Sequence, residues 1–237
     1  MPHKDIIVSS HGLQILVRNP HESFIGRCIY LNGVWEKEVT EFILSRIKPG
    51  FIVLDIGADI GYYTLLFAKL VGPSGHVVSF EPIPKAKWYL DKNIEINKFN
   101  NVTSHSFALF DKKGYVCLED PFHTSKINPS KQNISSNDIR VEMKVFDECA
   151  AEMGITQVNL VKIDVEGAEL NILRGMRNTL QEQHPALLVE VHPQQIQTFN
   201  FSAPDIIDFL SELNYQIEPV DKPAINFDQG NITIFCR

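Results

Sequence analysis

The sequence predicts an α/β fold, in which a mostly parallel β-sheet carries helices on both faces. Three features of the 237 residues predict it. Short apolar runs typical of buried strands alternate with segments whose apolar residues recur every three or four positions, as in amphipathic helices. Glycine and proline separate many of these segments. Strands that alternate with helices at this spacing imply right-handed crossovers, which join parallel strands.

One domain is predicted for the whole chain. A hydrophobic content of 44% is enough to bury one sizeable core at this length. Residues 1–34 are interpreted as a β-rich or irregular lead-in segment of that domain, because apolar and polar residues alternate over 13–17. Residues 35–237 carry the strand and helix pattern, with an insertion at about 111–153. No internal repeat or linker divides this pattern.

The first half of the pattern contains three helices and three strands. In chain order they are predicted as a helix at 35–48, a strand at 52–56, a helix at 62–71, a strand at 76–81, a helix at 84–97 and a strand at 102–109. The first helix ends at Pro49-Gly50, because proline cannot continue a helix. In the third helix, Ala86, Leu90 and Ile94 form the stripe expected to face the sheet.

The second half begins with the insertion. Extra strands are predicted at 114–119 and 139–145, on either side of a polar segment rich in Ser and Asn at 130–137, which is expected near the ligand. The remaining elements are predicted as a strand at 158–164, a helix at 167–180, a strand at 186–192, a helix at 205–213 and an antiparallel hairpin of strands at 215–220 and 231–235. The hairpin is expected to close the sheet.

Charge and cysteine content argue against several classes of protein. A net charge of -7 and a pI near 5.6 disfavour a broad basic surface for nucleic acid. The four cysteines lie far apart without a C-x-x-C pair, so no zinc knuckle or thioredoxin-type motif is present and a reduced, cytosolic protein is predicted. No apolar run approaches the ~20 residues that span a bilayer, so no membrane segment is predicted.

The most informative segment is Val53 to Thr64, where a buried strand passes through a glycine turn into a helix. A dinucleotide-binding turn has the pattern G-x-G-x-x-G, which lets backbone amides approach a pyrophosphate. Here Asp55 ends the strand and Asp59 replaces the middle glycine. Two carboxylates would repel a pyrophosphate at an effective dielectric of roughly 20, but they suit an ammonium and a sulfonium. The turn therefore predicts S-adenosylmethionine as the cofactor.

Two further strand ends are predicted to bind this cofactor, because ligands of open α/β sheets lie beyond the C-terminal ends of the strands. Glu81 ends the second strand, about 20 residues after Gly61, where an acidic side chain can accept both ribose hydroxyls. The end of the third strand, with Phe107 and Ala108, would form an apolar wall for the adenine. Phe107 fits a core position equally well.

A second acidic cluster begins at Asp164, which ends the fourth strand, and continues with Glu166 and Glu169. Glu190 and His192 share one face at the end of the fifth strand. Methyl transfer to a hydroxyl is helped by a base or by a metal that withdraws its proton, and these residue types can supply either. Alternatively, Asp164 caps a helix and His192 is a surface histidine. A divalent metal is compatible with this cluster but is not predicted.

Two motifs carry a resemblance to a known family. Residues 55–64, with the sequence DIGADIGYYT, and residues 162–169, with the sequence KIDVEGAE, resemble the FkbM family of class I S-adenosylmethionine-dependent methyltransferases. The segments 80–82 and 188–192 are similar to family positions as well, and the match covers about 35–192. The first motif alone marks only the superfamily, whereas its pairing with the second is specific to the family.

The resemblance implies O-methylation of a hydroxyl on a sugar or a small natural product. It also implies a Rossmann-like, seven-stranded sheet, mostly parallel with an antiparallel last strand and with helices on both faces. The sequence departs from the family at Asp59, where Asn is common, and at Phe110, where a small residue is usual. The added charge of Asp59 is expected to tighten the hold on the ammonium of the methionine moiety.

The predicted site residues fall into three groups. The cofactor is expected to contact Asp55, Gly57, Ala58, Asp59, Gly61, Tyr62, Tyr63, Thr64, Glu81, Pro82, Phe107, Ala108 and Asp164. The predicted catalytic residues are Asp164, Glu166, Glu190 and His192, with Glu190 or His192 as the proton acceptor. The predicted substrate contacts are Trp35, Glu36, His123, Thr124 and Ser125.

Three alternative functions stay open. An NAD-dependent oxidoreductase would need a glycine at position 59. A nucleic-acid methyltransferase is suggested by Lys162, Asp164 and Glu166, which resemble the lysine–acid sets of ribose methylators, but the acidic charge argues against it. A non-catalytic binding module can share the same fold. The expected partner is a small-molecule or glycan hydroxyl, with no nucleic acid and no membrane, and no oligomeric state is predicted.

Overall fold

The computed structural model describes residues 5–18, 23–119, 126–128 and 139–237. Its strands are β1 (Ile6–Ser10), β2 (Leu13–Val17), β3 (Ile52–Ile56), β4 (His76–Phe80), β5 (Val102–His105), β6 (Ala108–Leu109), β7 (Gly114–Glu119), β8 (Lys126–Asn128), β9 (Ile139–Lys144), β10 (Leu160–Ile163), β11 (Ala186–Val191), β12 (Ile217–Pro219) and β13 (Ile232–Cys236). Its α-helices are α1 (Phe24–Asn32), α2 (Lys37–Arg46), α3 (Tyr62–Val71), α4 (Pro84–Asn97), α5 (Phe146–Cys149), α6 (Glu169–Gly175), α7 (Arg177–Gln183) and α8 (Ala203–Glu212). Among the described helices, none combines the length and the apolar character that crossing a bilayer requires.

A seven-stranded sheet forms the centre of the fold, in the order β12-β13-β11-β10-β3-β4-β5. The strands from β11 to β5 pair in parallel, and β13 lies antiparallel to both of its neighbours. The predicted α/β class, the mostly parallel sheet and the antiparallel last strand are therefore confirmed. The strand order reverses between β3 and β10, so a crevice opens at their C-terminal ends, where ligands of such sheets bind.

Alternation along the strands divides the core between the two faces of this sheet. Leu54 and Val161 belong to a buried cluster that α6, α7 and α8 cover. Their chain neighbours Val53 and Leu160 belong to a second cluster, which α2, α3 and the β1-β2 hairpin cover. Successive strand residues point to opposite faces, and both faces here are apolar. Among the elements that the structure describes, the helices cover both faces of the sheet, and the strand ends remain open for a site.

The predicted insertion forms a second sheet, with described strands in the order β6-β9-β7-β8. Strands β7 and β9 confirm the strands predicted at 114–119 and 139–145. The single strand predicted at 102–109 is wrong, because β5 ends at His105 and β6 leaves the central sheet to pair with β9. A separate small core that includes Phe110 and Met143 holds β6 on this second sheet.

The structure also adds one helix to the prediction and divides another into two. The lead-in segment contains the β1-β2 hairpin but also α1, where the Ser23 side chain accepts a hydrogen bond from the Gly26 backbone N–H at 3.0 Å. The single helix predicted at 167–180 is two helices, α6 and α7. The backbone of the buried Met176 has φ -111° and ψ 8° and so leaves helical geometry between them.

Candidate active site

A cavity of about 500 Å³ opens at the C-terminal ends of β3, β4, β10 and β11, where the sequence predicted the ligand. This volume lies within the usual range for small-molecule sites. The predicted site residues that line it are Trp35, Glu36, Gly57, Asp59, Glu81, Pro82, Phe107, Ala108, Asp164, Glu166, Glu190 and His192. The predicted substrate contacts His123, Thr124 and Ser125 lie outside the described residues.

The turn between β3 and α3 requires glycine at position 57. Gly57 has φ 83°, a region that favours glycine. A Cβ atom built there would lie 1.8 Å from the backbone carbonyl oxygen of Asp164. The ends of β3 and β10 therefore approach too closely for a side chain at this position. This close approach joins the predicted cofactor turn to the acidic cluster of β10.

The remaining predicted cofactor residues lie behind the cavity wall: Asp55, Ala58, Gly61, Tyr62, Tyr63 and Thr64. Asp55 is fully buried, and its Oδ2 accepts a hydrogen bond from Thr64 Oγ1 at 2.5 Å. Burial raises the pKa of Asp55, whereas Lys162 and the Thr64 hydroxyl lower it. Asp55 thus does not line the cavity, and its direct contact with the methionine end stays a prediction. Asp55 holds the turn against α3.

Glu81 is fixed at the cavity wall by two backbone donors. The N–H of Asp59 donates to Oε2 and the N–H of Ile83 donates to Oε1, both at 2.8 Å. Each oxygen keeps a second lone pair that a ribose hydroxyl can use. Burial and the nearby Asp59 raise the pKa of Glu81 to about 8, and burial raises the pKa of Asp59 to about 6. Asp59 favours a ligand with positive charge, and hydroxyl donors on the ligand would favour the ionised form of Glu81.

An apolar part of the cavity lies beside Glu81. Phe80, Phe107 and Ala108 line it, and the ring centroids of Phe80 and Phe107 are 5.5 Å apart. Phe110, one of the departures from the family pattern, also lines the cavity, and its ring centroid lies 5.8 Å from that of Phe199. This lining suits an adenine ring. Phe107 and Ala108 remain the candidates for that contact.

Asp164, Glu190 and His192 converge at one point of the cavity wall. Each offers one ligand-type atom, and these atoms all lie within 4.8 Å of one another. His192 Nε2 lies 3.5 Å from Glu190 Oε1 and 3.9 Å from Asp164 Oδ1. Glu166 Oε2 lies 3.9 Å from the same nitrogen. The structure therefore brings together the four residues predicted as catalytic, which we call the acid–histidine cluster.

His192 is a buried residue, which excludes the alternative that it is an ordinary surface histidine. It is 1% exposed, and its Nδ1 lies 2.6 Å from Oε1 of the fully buried Glu169. Burial would lower the pKa of His192, but the hydrogen bond to Glu169 and the neighbouring carboxylates raise it to about 9. Glu169 was not predicted as a site residue. The signal for it was a carboxylate three residues after Glu166, at the start of a helix.

Lys162 is a second residue of the site that the sequence analysis did not assign. Its Nζ donates to Asp164 Oδ2 at 3.0 Å and lies 4.7 Å from the ring centroid of Tyr63. The Tyr63 hydroxyl in turn donates to Glu36 Oε2 at 2.7 Å. Burial would lower the pKa of Lys162, but the surrounding carboxylates raise it above its ordinary value. A lysine inside an otherwise apolar strand was the signal in the sequence.

Comparison with known proteins identifies the family. A profile of the Methyltransferase FkbM domain matches residues 55–217. The hexuronic acid methyltransferase AglP of Haloferax volcanii is 27% identical over 187 residues, covering 78% of this chain and 72% of that protein. The 31-O-demethyl-FK506 methyltransferase FkbM of Streptomyces tacrolimicus is 23% identical over 219 residues, covering 78% of this chain and 76% of that protein.

A solved structure supports the same relationship at the level of the fold. The crystal structure of a methyltransferase FkbM from Methylobacillus flagellatus matches with a TM-score of 0.51 at 16% identity, covering 88% of this chain and 52% of that chain. This chain thus spans about half of the crystallised one. The profile match runs from β3 to the start of β12 and includes both the glycine turn and the acid–histidine cluster. The chain belongs to the FkbM family and is an S-adenosylmethionine-dependent methyltransferase.

Proposed function

We propose that this methyltransferase transfers a methyl group to a hydroxyl of a sugar or of a small natural product. The observation that carries the proposal is the close approach of Gly57 to the Asp164 backbone, which sets the cofactor turn beside the acid–histidine cluster. Methyl donor and proton acceptor then share one wall of the cavity. The names of two relatives support the acceptor class, since one acts on hexuronic acid and the other on 31-O-demethyl-FK506.

The cofactor is proposed to lie along the ends of β3 and β4. Both ribose hydroxyls donate to the Glu81 carboxylate, whose position is fixed by the N–H groups of Asp59 and Ile83. The adenine lies in the apolar part of the cavity, against Phe107 and Ala108. The methionine end points past Asp59 toward the acid–histidine cluster, where its ammonium and sulfonium meet negative charge.

The reaction is an in-line displacement at the methyl carbon. The acceptor oxygen attacks from the side opposite the sulfur, a C–O bond forms, and the electrons of the breaking C–S bond go to the sulfur. S-adenosylhomocysteine leaves, and the hydroxyl proton passes to a carboxylate of the acid–histidine cluster. Holding the oxygen near ~3 Å from the methyl group and in line with the C–S bond supplies much of the rate.

A small acceptor is proposed in preference to a nucleic acid. The chain carries a net charge of -7, and the cavity wall holds Glu36, Asp164, Glu166 and Glu190. A phosphate backbone would be repelled by these groups, because nucleic-acid affinity comes mainly from Lys and Arg contacts. A neutral sugar brings no charge and a hexuronic acid brings a single carboxylate, against the many phosphates of a nucleic acid, and the hydroxyls of either can donate to the same carboxylates.

The test is a product search with purified protein and S-adenosylmethionine. The acceptor panel contains hexuronic acids, neutral sugars, hydroxylated macrolides and a structured RNA, and mass spectrometry follows both S-adenosylhomocysteine and methylated products. We expect one added methyl on a hydroxylated small molecule. A Glu182→Gln variant, changed on the exposed face of α7, serves as the matched control and should keep this activity. Methylation of the RNA alone, or cofactor binding without turnover across the panel, would contradict the proposal.

A further inference from the structure

We propose that Asp164, Glu190 and His192 form a binding site for one divalent transition-metal ion. Their ligand-type atoms lie within 4.8 Å of one another at the ends of two neighbouring parallel strands. Asp164 directly follows β10, Glu190 belongs to β11, and His192 directly follows β11. The pairing of Ile163 with Val189 aligns these strand ends, so the three side chains reach the same point from rigid backbone.

The separations between the side chains fit a shared ion. An ion about 2.0–2.2 Å from each nitrogen or oxygen ligand holds those atoms roughly 3.0–3.5 Å apart in octahedral or tetrahedral geometry. His192 Nε2 lies 3.5 Å from Glu190 Oε1 and 3.9 Å from Asp164 Oδ1. These distances are longer than normal hydrogen bonds. All three atoms lie within 4.8 Å of one another, so movements of at most about 1.3 Å would bring them into coordination.

His192 is held in the orientation that a metal ligand needs. Its Nδ1 lies 2.6 Å from Glu169 Oε1 and donates to it, so Nε2 is the nitrogen that faces the cluster. A metal ion would displace the second proton, which the raised pKa of His192 keeps on Nε2 in the metal-free protein. The Gly167 N–H also donates to Glu169 Oε1, at 2.9 Å, which fixes this carboxylate. A carboxylate that orients a histidine through its second nitrogen is a recurring feature of metal sites. The buried His192 directs Nε2 at Asp164, Glu166 and Glu190, whose nearest oxygens lie 3.5–3.9 Å away.

The charge around the site calls for a cation. Asp164, Glu166, Glu169 and Glu190 all lie within 3.9 Å of a His192 ring nitrogen. Lys162 neutralises part of this charge, but it bonds to Asp164 Oδ2 and leaves Oδ1 directed toward His192. Asp164 and Glu190 are partly buried, with side chains 26% and 18% exposed, and such carboxylates are stabilised by a cation, a metal or a proton. A divalent ion between Oδ1, Oε1 and Nε2 would supply that compensation.

The ligand set and the access route indicate the kind of ion and its use. An imidazole nitrogen with two carboxylates favours Zn²⁺, Co²⁺ or Mn²⁺ over Mg²⁺ and Ca²⁺, which prefer oxygen ligands alone. All three ligands line the cavity, so the ion can enter from it. With three protein ligands the ion keeps positions open for an acceptor hydroxyl, whose proton it would make easier to remove. The uncoordinated Glu166 is then the carboxylate left to accept that proton.

Metal binding can be tested without any methyl acceptor. The protein is first treated with a chelator and dialysed. It is then titrated with CoCl₂ while the visible absorption of bound Co²⁺ is measured. Calorimetric titrations with ZnCl₂, MnCl₂ and MgCl₂ measure the binding of the other ions. We expect one Co²⁺, Zn²⁺ or Mn²⁺ per chain and much weaker binding of Mg²⁺. Glu190→Gln and His192→Gln should weaken binding at least about 100-fold, and Glu169→Gln about 10–100-fold.

Two controls make the outcome decisive. Glu182→Gln changes the same residue type on the exposed face of α7 and should bind metal as the wild type does. Unchanged affinity for S-adenosylhomocysteine shows that each variant is folded. If His192→Gln does not bind S-adenosylhomocysteine normally, the metal affinity of Glu190→Gln is compared with that of the wild type instead. Absence of stoichiometric transition-metal binding, or equal binding by wild type and Glu190→Gln, would overturn the inference. Metal binding without methyl transfer would count against the proposed function alone.

Discussion

The substitution Gly57→Ala probes the contact on which the site is built. The new Cβ atom would lie 1.8 Å from the Asp164 carbonyl oxygen and 2.8 Å from the Asp164 carbonyl carbon. Real Cβ atoms stay at least 3.0 Å away, so the end of β10 or the turn must move by about 1.2 Å. The left-handed backbone adds about 1–2 kcal/mol of strain for any L side chain. We expect a total loss of about 4 kcal/mol or more in the free energy of unfolding.

Gly33→Ala is the matched control, because Gly33 has φ 72° but no atom within 4 Å of its built Cβ position. It carries the same kind of backbone strain without the clash and should cost about 1–2 kcal/mol. Urea denaturation measures both losses, and calorimetry with S-adenosylhomocysteine measures cofactor affinity. Gly57→Ala should lose both stability and affinity, whereas Gly33→Ala should keep its affinity. Equal stability losses, with normal cofactor binding in both variants, would refute the reasoning.

Three further predictions concern neighbouring charges. Burial raises the pKa of Glu81 from 4.5 to about 8. Between these two values the folded state holds a proton that the unfolded state releases. The cofactor-free protein should therefore lose stability as the pH rises through that interval. Glu81→Gln should reduce this loss in thermal unfolding, while Glu190 and His192, whose pKa values are raised to about 8 and about 9, keep their share of it. The same substitution should abolish cofactor binding. A pH dependence unchanged from the wild type would assign the loss to groups other than Glu81. Glu190→Gln should lower turnover at least about 100-fold, while the affinity for S-adenosylhomocysteine stays near normal. An unchanged turnover rate would exclude Glu190 from catalysis. Lys162→Met should cost about 3–5 kcal/mol in chemical denaturation, because the fully buried Asp55 and the partly buried Asp164 would lose their cation. An unchanged midpoint would contradict that role of Lys162.

Regular elements were predictable where local signals agree. Helices α3 and α4 begin and end where the sequence predicted them, because Gly61 and Pro84 mark their starts and an apolar stripe follows each. The strand predicted at 102–109 shows the limit of such signals. Its apolar run continues past His105, but no local sequence signal shows that the chain leaves the central sheet there and joins the second sheet.

The same distinction holds for the site. The acidic residues at strand ends could be predicted, because parallel strands bring their C-terminal ends to one edge. The contact between His192 and Glu169 joins residues 23 positions apart and depends on how α6 packs, so the sequence did not show that His192 is buried. Asp55 was assigned to the cofactor for its position in the motif, yet its carboxylate bonds to Thr64 inside the core. Only tertiary packing decides which carboxylates face the cavity.

The central claim is that the cofactor binds with its ribose on Glu81 and its sulfur toward Asp164, Glu190 and His192. A crystal structure with bound S-adenosylhomocysteine measures this directly. We predict both ribose hydroxyls within hydrogen-bond distance of the Glu81 carboxylate and the sulfur facing the acid–histidine cluster. Density for the ligand elsewhere on the protein, or with the ribose turned away from Glu81, would contradict the claim.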